Sequence, residues 1–278
     1  MNLLDTNQMI EDAYNHIKSK INFSPEIGVV LGSGLGEMIS KMTDKIIIPY
    51  HEIPHFANST APGHIGQLVC GTLSGKKIIA MQGRLHVYEG HNPIVATLLI
   101  RVMKLFNVHT LIITCASGGL NVSYKAGDIM LILDHINFSG TNPLLGKNLE
   151  NFGPRFPVMF DVYTPELVSM AHKIATDNNI KLQQGIYVGI LGPTYATRAE
   201  LSFFINNHCD AIGMSVVHEA IVAAHSGIKV LGLAAITDMA LPYDDHHHAT
   251  ENDIIESAKN IQSKFQILLS KIIEQMHS

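Results

Sequence analysis

The sequence predicts a single-domain α/β protein with a central β-sheet flanked by helices. Short runs rich in Val, Ile and Leu recur along the chain, and continuous runs of this kind are typical of strands covered on both faces. Segments with helical periodicity lie between them, and this alternation favours helices packed on a sheet. The 278 residues fit one large domain, and no Pro-, Gly- or Ser-rich linker divides them. We therefore expect one domain over residues 1–278.

Six apolar runs are predicted as buried strands, in chain order at 27–31, 77–81, 111–115, 129–133, 186–191 and 230–237. Helical patterns are predicted at 93–105 and 165–176, and a third closes the chain. The apolar residues of the closing helix recur at three- and four-residue steps, which places them on one face: Ile254, Ile255, Ala258, Ile261, Phe265, Leu268, Leu269, Ile272 and Ile273.

Composition excludes several classes of function. The chain has 19 basic against 24 acidic residues and a net charge of -5, with no basic block, so nucleic acid is not an expected partner. Cys70, Cys115 and Cys209 are too few and too scattered for a disulfide framework or a zinc site. No apolar signal-peptide core opens the chain and no 18-residue apolar run follows, so we expect no membrane segment and a cytoplasmic location.

A glycine-rich turn follows the first strand, at residues 32–36 (GSGLG). Its backbone N–H groups and the Ser33 hydroxyl can hold a phosphate at a helix start, although an ordinary turn would have the same composition. The turn matches neither the G-x-x-x-x-G-K-[ST] loop nor a full G-x-G-x-x-G, and no acidic residue follows at the spacing of a dinucleotide fold. A nucleotide cofactor is therefore disfavoured.

Polar residues also follow the second strand. Arg84 and His86 alternate along an extended segment, so both side chains are expected on one face. A fixed fork of N–H donors beside an imidazole suits a tetrahedral oxyanion. The alternative is a solvated edge that carries a salt bridge.

The later strands end in further candidate loops. Residues 116–121 (ASGGLN) read as a backbone-rich turn. Thr197 and Glu200 form a capping box that starts a helix, and Tyr195 just ahead of it can stack on a flat ring. Asp238 places a carboxylate at the end of the last strand, where it could serve a ligand or cap a turn.

Together these segments resemble the trimeric purine nucleoside phosphorylases, from about residue 27 to the last helix. The matching motifs are GVVLGSGLG (28–36), APGHIG (61–66), MQGRLHVYEGH (81–91), SGGLN (117–121), AGDIMLILDHINFSGTNPLLG (126–146), FGPRFPVM (152–159) and GMSVVHEAIVA (213–223). The resemblance implies a mixed, twisted central sheet and reversible phosphorolysis of purine nucleosides to free base and ribose 1-phosphate. It also implies a homotrimer with no metal or organic cofactor, because inorganic phosphate is the nucleophile and co-substrate.

The resemblance further implies which residues form the site. The phosphate pocket corresponds to Ser33, His64, Arg84, His86, the Ala116 N–H and Ser215, with His64 on a mobile gate. The nucleoside site corresponds to Tyr88, Met214, Ser117, Gly118, Tyr195, Ala196, Val217, Asp238 and Glu251, with Phe156 entering from the neighbouring subunit. The catalytic residues would be His86, Glu89, which supports the histidine-containing loop, and Asp238, which faces the purine N7.

Three positions depart from the family pattern. Ala196 stands where the family has a Glu that accepts from purine N1–H, Asp238 stands where it has Asn, and Glu251 stands near its 5′-hydroxyl-binding His. The first two favour the hypothesis that 6-aminopurine nucleosides are accepted better than is usual, and leave the choice between 6-oxo and 6-amino purines open. The third leaves the 5′-hydroxyl contact open.

Other functions remain as alternatives. The T-R-A-E and T-D elements resemble methylthioadenosine phosphorylases, although RLHVYEGH does not resemble their equivalent loop. A non-catalytic nucleoside- or phosphate-binding module, or a structural protein, would have no need for so many polar residues after strands. The DDHHH run at 244–248 contains residue types that bind metal ions, but adjacent loop residues cannot all face one ion, so no metal is expected.

Overall fold

A single mixed β-sheet organises the protein. In the computed structural model, which describes residues 5–61, 63–242 and 250–276, this sheet contains nine strands. They are β1 (Ile27–Leu31), β2 (Thr43–Pro49), β3 (Gln67–Leu73), β4 (Lys76–Gln82), β5 (Thr110–Gly119), β6 (Ile129–Phe138), β7 (Leu182–Ile190), β8 (Ala211–Gly213) and β9 (Lys229–Met239). The helices in the same part of the chain are α1 (Thr6–Lys20), α2 (Pro93–Ala96), α3 (Leu98–Leu105), α4 (Pro165–Asp177), α5 (Arg198–Asn206), α6 (Val217–His225) and α7 (Glu251–Gln275).

The order of the strands brings the candidate loops to one edge. The sheet runs β2-β3-β4-β1-β5-β8-β7-β6-β9, and β9 also pairs with β5. Strands β5, β8, β7, β6 and β9 therefore close on themselves. Because β1 is parallel to both β4 and β5, and β5 is parallel to β9, the carboxyl ends of these four strands meet at the same edge. Ligands of α/β sheets bind at such edges.

Helices cover both faces of the sheet. On one face α1, α3 and α6 pack against the sheet, and on the other α4 and α7 do so. Successive residues of β1 enter the two cores in turn: Val30 faces the first, whereas Val29 and Leu31 face the second. All three are at most 1% exposed, and burying a side chain of this size contributes about 1.5–3 kcal/mol. The two-sided burial explains why β1 reads as a continuous apolar run.

Most of the predicted elements are confirmed, with three kinds of difference. Strands β2, β3 and β8 and helices α1 and α6 were not predicted. The helix predicted at 93–105 is interrupted at Thr97, whose hydroxyl donates to the Pro93 carbonyl. The turn predicted at 116–121 is wrong in its first half, because β5 continues to Gly119 by pairing with β9 and β8. No helix among the residues described is long and apolar enough to cross a membrane.

Candidate active site

The turn after β1 is held close to β5. The Gly32 N–H donates to Thr114 Oγ1 at 3.2 Å, and a Cβ on Gly32 would lie 2.8 Å from the Thr114 carbonyl oxygen. Gly34 has φ +74, and a Cβ there would lie 2.5 Å from Ala258 on α7, so only glycine fits. This close packing positions Ser33, whose Oγ lies 3.1 Å from His64 Nε2.

Arg84 lies below this turn and is almost completely buried. Its Nη1 donates to Glu219 Oε2 at 2.8 Å, and its Nη2 donates to the Thr114 carbonyl oxygen. The guanidinium is planar and both partners come from rigid elements, α6 and β5, so its orientation is fixed before any ligand arrives. Glu219 was missed as a site residue, although a carboxylate inside the apolar run of α6 was a signal, since such groups are buried only when paired.

His86 is fixed by a carboxylate of its own. Glu89 Oε1 accepts from the His86 backbone N–H at 2.7 Å and lies 3.1 Å from His86 Nδ1. Glu89 Oε2 accepts from the N–H and the hydroxyl of Thr60, at 2.7 and 2.6 Å. Burial opposes ionisation of Glu89, but these hydrogen bonds together hold its pKa well below the usual range. With Nδ1 engaged, Nε2 is the ring nitrogen of His86 that can reach a ligand.

Three rings stack beside the phosphate candidates. The His64 and His86 centroids are 5.1 Å apart, and those of His86 and Tyr88 are 4.6 Å apart. Burial, together with charge repulsion from His86 and Arg84, lowers the pKa of His64 to about 3. Burial also lowers the pKa of His86, against the opposing influence of Glu89. Both imidazoles are therefore neutral near pH 7 in the unliganded protein.

One cleft connects these groups with the segment before α6. Its open space is about 400 Å³. Of the predicted site residues, Arg84, His86, Met214, Ser215 and Val217 line it, together with Glu219. Val216 between them has φ +70, a strained conformation for a β-branched residue that tight packing must enforce.

The edge of β5 opens toward the same region. β1 pairs with β5 only as far as Ile113, and β8 joins at Gly118. Between them, the β1-facing edge of residues 114–117 has no strand partner among the described residues. Ala116 thus lies in a strand whose edge is available to a ligand, although the sequence indicated a turn there.

The candidate base site lies where β5 and β9 end together. Gly118 is the register partner of Asp238, and Thr237 Oγ1 lies 3.3 Å from the Ser117 carbonyl oxygen. Thr237 also donates to Asp238 Oδ1 at 2.8 Å. Asp238 Oδ2 lies 3.4 Å from the position that a Cβ on Gly118 would occupy. Burial raises the pKa of the Asp238 carboxyl, and the Thr237 hydrogen bond opposes it only in part.

Some predicted residues lie outside this assembly. Phe156 is 85% exposed, with the Arg155 guanidinium carbon 5.7 Å from its ring centroid, so it does not enter the cleft of its own chain. Tyr195 is exposed beside the helix that the confirmed Thr197–Glu200 capping box starts. Ala196 packs against an apolar cluster that Ala240 also borders.

The side chain of Glu251, which opens α7, lies outside the described residues, and so do His246, His247 and His248. The sequence interpretation of these four positions is therefore untested. Within 5–61, 63–242 and 250–276, no group of three or more His, Cys, Asp or Glu side chains is arranged to hold a metal ion.

Comparison with known proteins assigns the family. The profile of the Phosphorylase superfamily matches residues 26–274. Purine nucleoside phosphorylase 1 of Bacillus subtilis is 45% identical over 96% of this chain and 98% of its own. Purine nucleoside phosphorylase of Schistosoma mansoni in complex with adenosine superposes with a TM-score of 0.92 at 37% identity, covering 98% of each chain. The same enzyme in complex with inosine gives 0.92 at 36% identity, covering 98% of this chain and 97% of that one. This chain belongs to the purine nucleoside phosphorylase family within the phosphorylase superfamily.

Proposed function

We propose that the protein catalyses reversible phosphorolysis of purine ribo- and deoxyribonucleosides, as its relatives' names indicate for them. The observation that carries the proposal is the edge of the sheet at which β4, β1, β5 and β9 end, because chemically distinct groups lie at its two ends. At one end a fixed guanidinium, an oriented imidazole and a serine hydroxyl converge, at Arg84, His86 and Ser215. At the other a partly buried carboxyl group, Asp238, ends β9. A nucleoside needs an anion under its sugar and a proton for its base, and the two ends supply these.

The phosphate end is organised before the substrate binds. Arg84 offers N–H groups beyond the two that Glu219 and Thr114 use, Ser33 and Ser215 offer hydroxyls, and the open edge of β5 offers backbone N–H groups near Ala116. Donors that are already fixed need little reorganisation when charge develops, which is the main source of electrostatic catalysis. They would also hold the phosphate oxygen close to C1′, which removes much of the entropic barrier.

The reaction balances with these groups alone. A phosphate oxygen forms a bond to C1′ while the C1′–N9 bond breaks, and the bonding electrons pass into the purine. The purine then takes a proton at N7, which the Asp238 carboxyl can donate and regain from solvent. Overall the proton leaves hydrogen phosphate and appears on the base, and the products are ribose 1-phosphate and free purine. Phosphate is the co-substrate, and we propose no metal or organic cofactor.

A homotrimer would complete the site. Phe156, Val158 and Phe160 are 85%, 73% and 89% exposed within one segment, and exposed apolar groups that lie together mark interaction surfaces. We propose that Phe156 covers the ribose in a neighbouring subunit, in line with the family resemblance. Phe156→Ala should raise the nucleoside KM at least about tenfold through lost apolar burial while the KM for phosphate changes little. An unchanged nucleoside KM would exclude this role.

The direct test is nucleoside consumption with and without phosphate, with the free base and ribose 1-phosphate both measured. We expect turnover only when phosphate is present, and Ser215→Ala should raise the phosphate KM with the fold intact. Release of free ribose without phosphate, or no turnover of any purine nucleoside, would overturn the proposal. If no purine nucleoside is turned over but a purine nucleoside binds tightly, the protein would be a non-catalytic binding module.

A methylthioadenosine phosphorylase is the second candidate, and the Asp238 and Ala196 pair favours it. A parallel assay with 5′-methylthioadenosine and adenosine separates the two. A higher kcat/KM for the thioether would assign the protein to that class, whereas its exclusion supports the first proposal.

A further inference from the structure

The carboxyl end of β9 carries a carboxyl group with an unused oxygen. Asp238 Oδ1 accepts from Thr237, but in the part of the chain that the structure describes no hydrogen bond reaches Oδ2 and no cation pairs with the carboxyl. We infer that Asp238 makes this site selective for 6-aminopurine nucleosides over 6-oxopurine nucleosides. The inference rests on the proposed phosphorolysis and specifies its substrate class.

The first step is the hydrogen bonding of the carboxyl itself. Burial of a carboxylate without a positive partner is unfavourable and shifts its ionisation equilibrium toward the neutral form. A neutral carboxyl group has one O–H donor and one carbonyl acceptor side by side. A bound ligand that offers an acceptor and a donor at matching positions would satisfy both.

The second step is the edge of the purine that carries N7. In a 6-aminopurine this edge presents the N7 lone pair and an N6–H, which are one acceptor and one donor. In a 6-oxopurine it presents the N7 and O6 lone pairs, which are two acceptors. The neutral carboxyl of Asp238 complements the first edge fully, whereas the second would place its carbonyl oxygen against O6.

The third step is what surrounds the carboxyl. Gly118 lies beside Oδ2, and Ala240 lies 2.9 Å from the position of a Gly118 Cβ. Ala196 and Ala240 border one apolar cluster built on Leu120 and Ile212. A 6-oxopurine carries an N1–H that needs an acceptor, and the methyl group of Ala196, which the family resemblance places near N1, provides none. A 6-aminopurine has a lone pair and no hydrogen at N1, so the missing acceptor at residue 196 costs its binding less free energy.

One neighbouring hydroxyl does not change this conclusion. Ser117 Oγ is buried and has no hydrogen-bond partner among the described residues. A hydroxyl can either donate or accept a hydrogen bond, so it could donate to O6 or accept from N6–H. It therefore does not discriminate between 6-oxopurines and 6-aminopurines. The selectivity therefore depends on Asp238, with Ala196 as the second contributor.

The test is a comparison of kcat/KM for adenosine and inosine, at saturating phosphate, in three proteins: the wild type, Asp238→Asn and Asp177→Asn. The last is a matched carboxyl-to-amide control at the exposed end of α4. We expect the wild type to favour adenosine at least about tenfold, because a site built for one donor rejects an analogue that lacks it. Asp238→Asn should lower the adenosine-to-inosine ratio at least about tenfold, since a carboxamide N–H can donate to O6, whereas Asp177→Asn should leave it unchanged.

The possible outcomes distinguish failure of the proposed 6-aminopurine selectivity from failure of the proposed phosphorolysis. Phosphate-dependent turnover with inosine equal to or better than adenosine, or an unchanged ratio in Asp238→Asn, would refute the selectivity and leave phosphorolysis standing. Absence of phosphate-dependent turnover with either substrate would refute the function itself. If Asp238→Asn does not fold, calorimetry of the wild type with adenine and hypoxanthine decides: adenine should bind at least about tenfold more tightly, and equal affinity refutes the inference.

Discussion

The buried ion pair between Arg84 and Glu219 permits a quantitative test of how the phosphate end is built. The two side chains are 2% and 7% exposed, and the Nη1–Oε2 distance is 2.8 Å. Glu219→Ala would leave a buried guanidinium whose remaining partner is the Thr114 carbonyl oxygen. Arg84→Ala would leave a buried carboxylate. Removing one partner of such a pair destabilises a protein by about 3–5 kcal/mol.

The double variant distinguishes pairing from simple loss of packing. Arg84→Met with Glu219→Leu removes both charges and keeps much of the volume, and such replacements are often nearly neutral. We therefore expect the double variant to be more stable than either Arg84→Met or Glu219→Leu alone, with a coupling free energy of at least about 2 kcal/mol between the two substitutions. Unfolding by urea, followed by far-UV circular dichroism at one protein concentration without phosphate, measures the wild type, these two single variants and the double variant.

Two results would refute the reasoning. Single variants that lose less than about 1 kcal/mol would show that the pair is solvated in solution, as surface pairs are. Additive losses in the double variant would show that the charges do not interact. In either case Arg84 would not be held by Glu219, and the preorganised phosphate end would need another explanation.

Three further predictions concern residues around this pair. Glu89→Gln should raise the phosphate KM about tenfold with a smaller effect on the nucleoside KM, because a charged partner of His86 is lost; equal changes in both would contradict a role at the phosphate end. The pKa of His64 is lowered to about 3 in the folded protein, so the unfolded state takes up a proton first as the pH falls below 6.5, and the free energy of unfolding decreases by at most about 2 kcal/mol at pH 5. His64→Gln should flatten the dependence of this free energy on pH between 6.5 and 5. An unaltered dependence would show that His64 does not cause it. Gly118→Val should lower kcat/KM at least about tenfold by filling the space beside Asp238, and an unchanged kcat/KM would show that this space is not used by the substrate.

Two-sided burial made several strands visible in the sequence. β1, the first six residues of β5 and the first four residues of β6 are all buried, which produces continuous apolar runs. β2 has one buried residue among seven, and β8 is three residues long, so neither produces a recognisable period. The second half of β5 was taken for a turn because its Ala, Ser and Gly residues have no strand propensity, and pairing with β9 decides their conformation.

The residues that we propose to contact the ligand could be singled out from the sequence, whereas the residues that orient them could not. Arg84, His86 and Asp238 stand shortly after apolar runs or at their ends, which made them visible. Their partners are distant in the sequence: Glu219 is 135 residues from Arg84, and Thr60 is 29 residues from Glu89. No spacing rule connects such pairs, because only the folded sheet brings them together.

The hydrogen bonds of Glu89 connect the segment that carries His64 with the imidazole of His86. Two of its four hydrogen bonds come from Thr60, four residues before His64, and two come from His86. A displacement of the residues around Thr60 and His64 would remove the stacked ring of His64 and half of the support for Glu89 at the same time. The orientation of the His86 ring therefore depends on a stretch of chain more than twenty residues before it, and a change in one would be transmitted to the other through a single carboxylate.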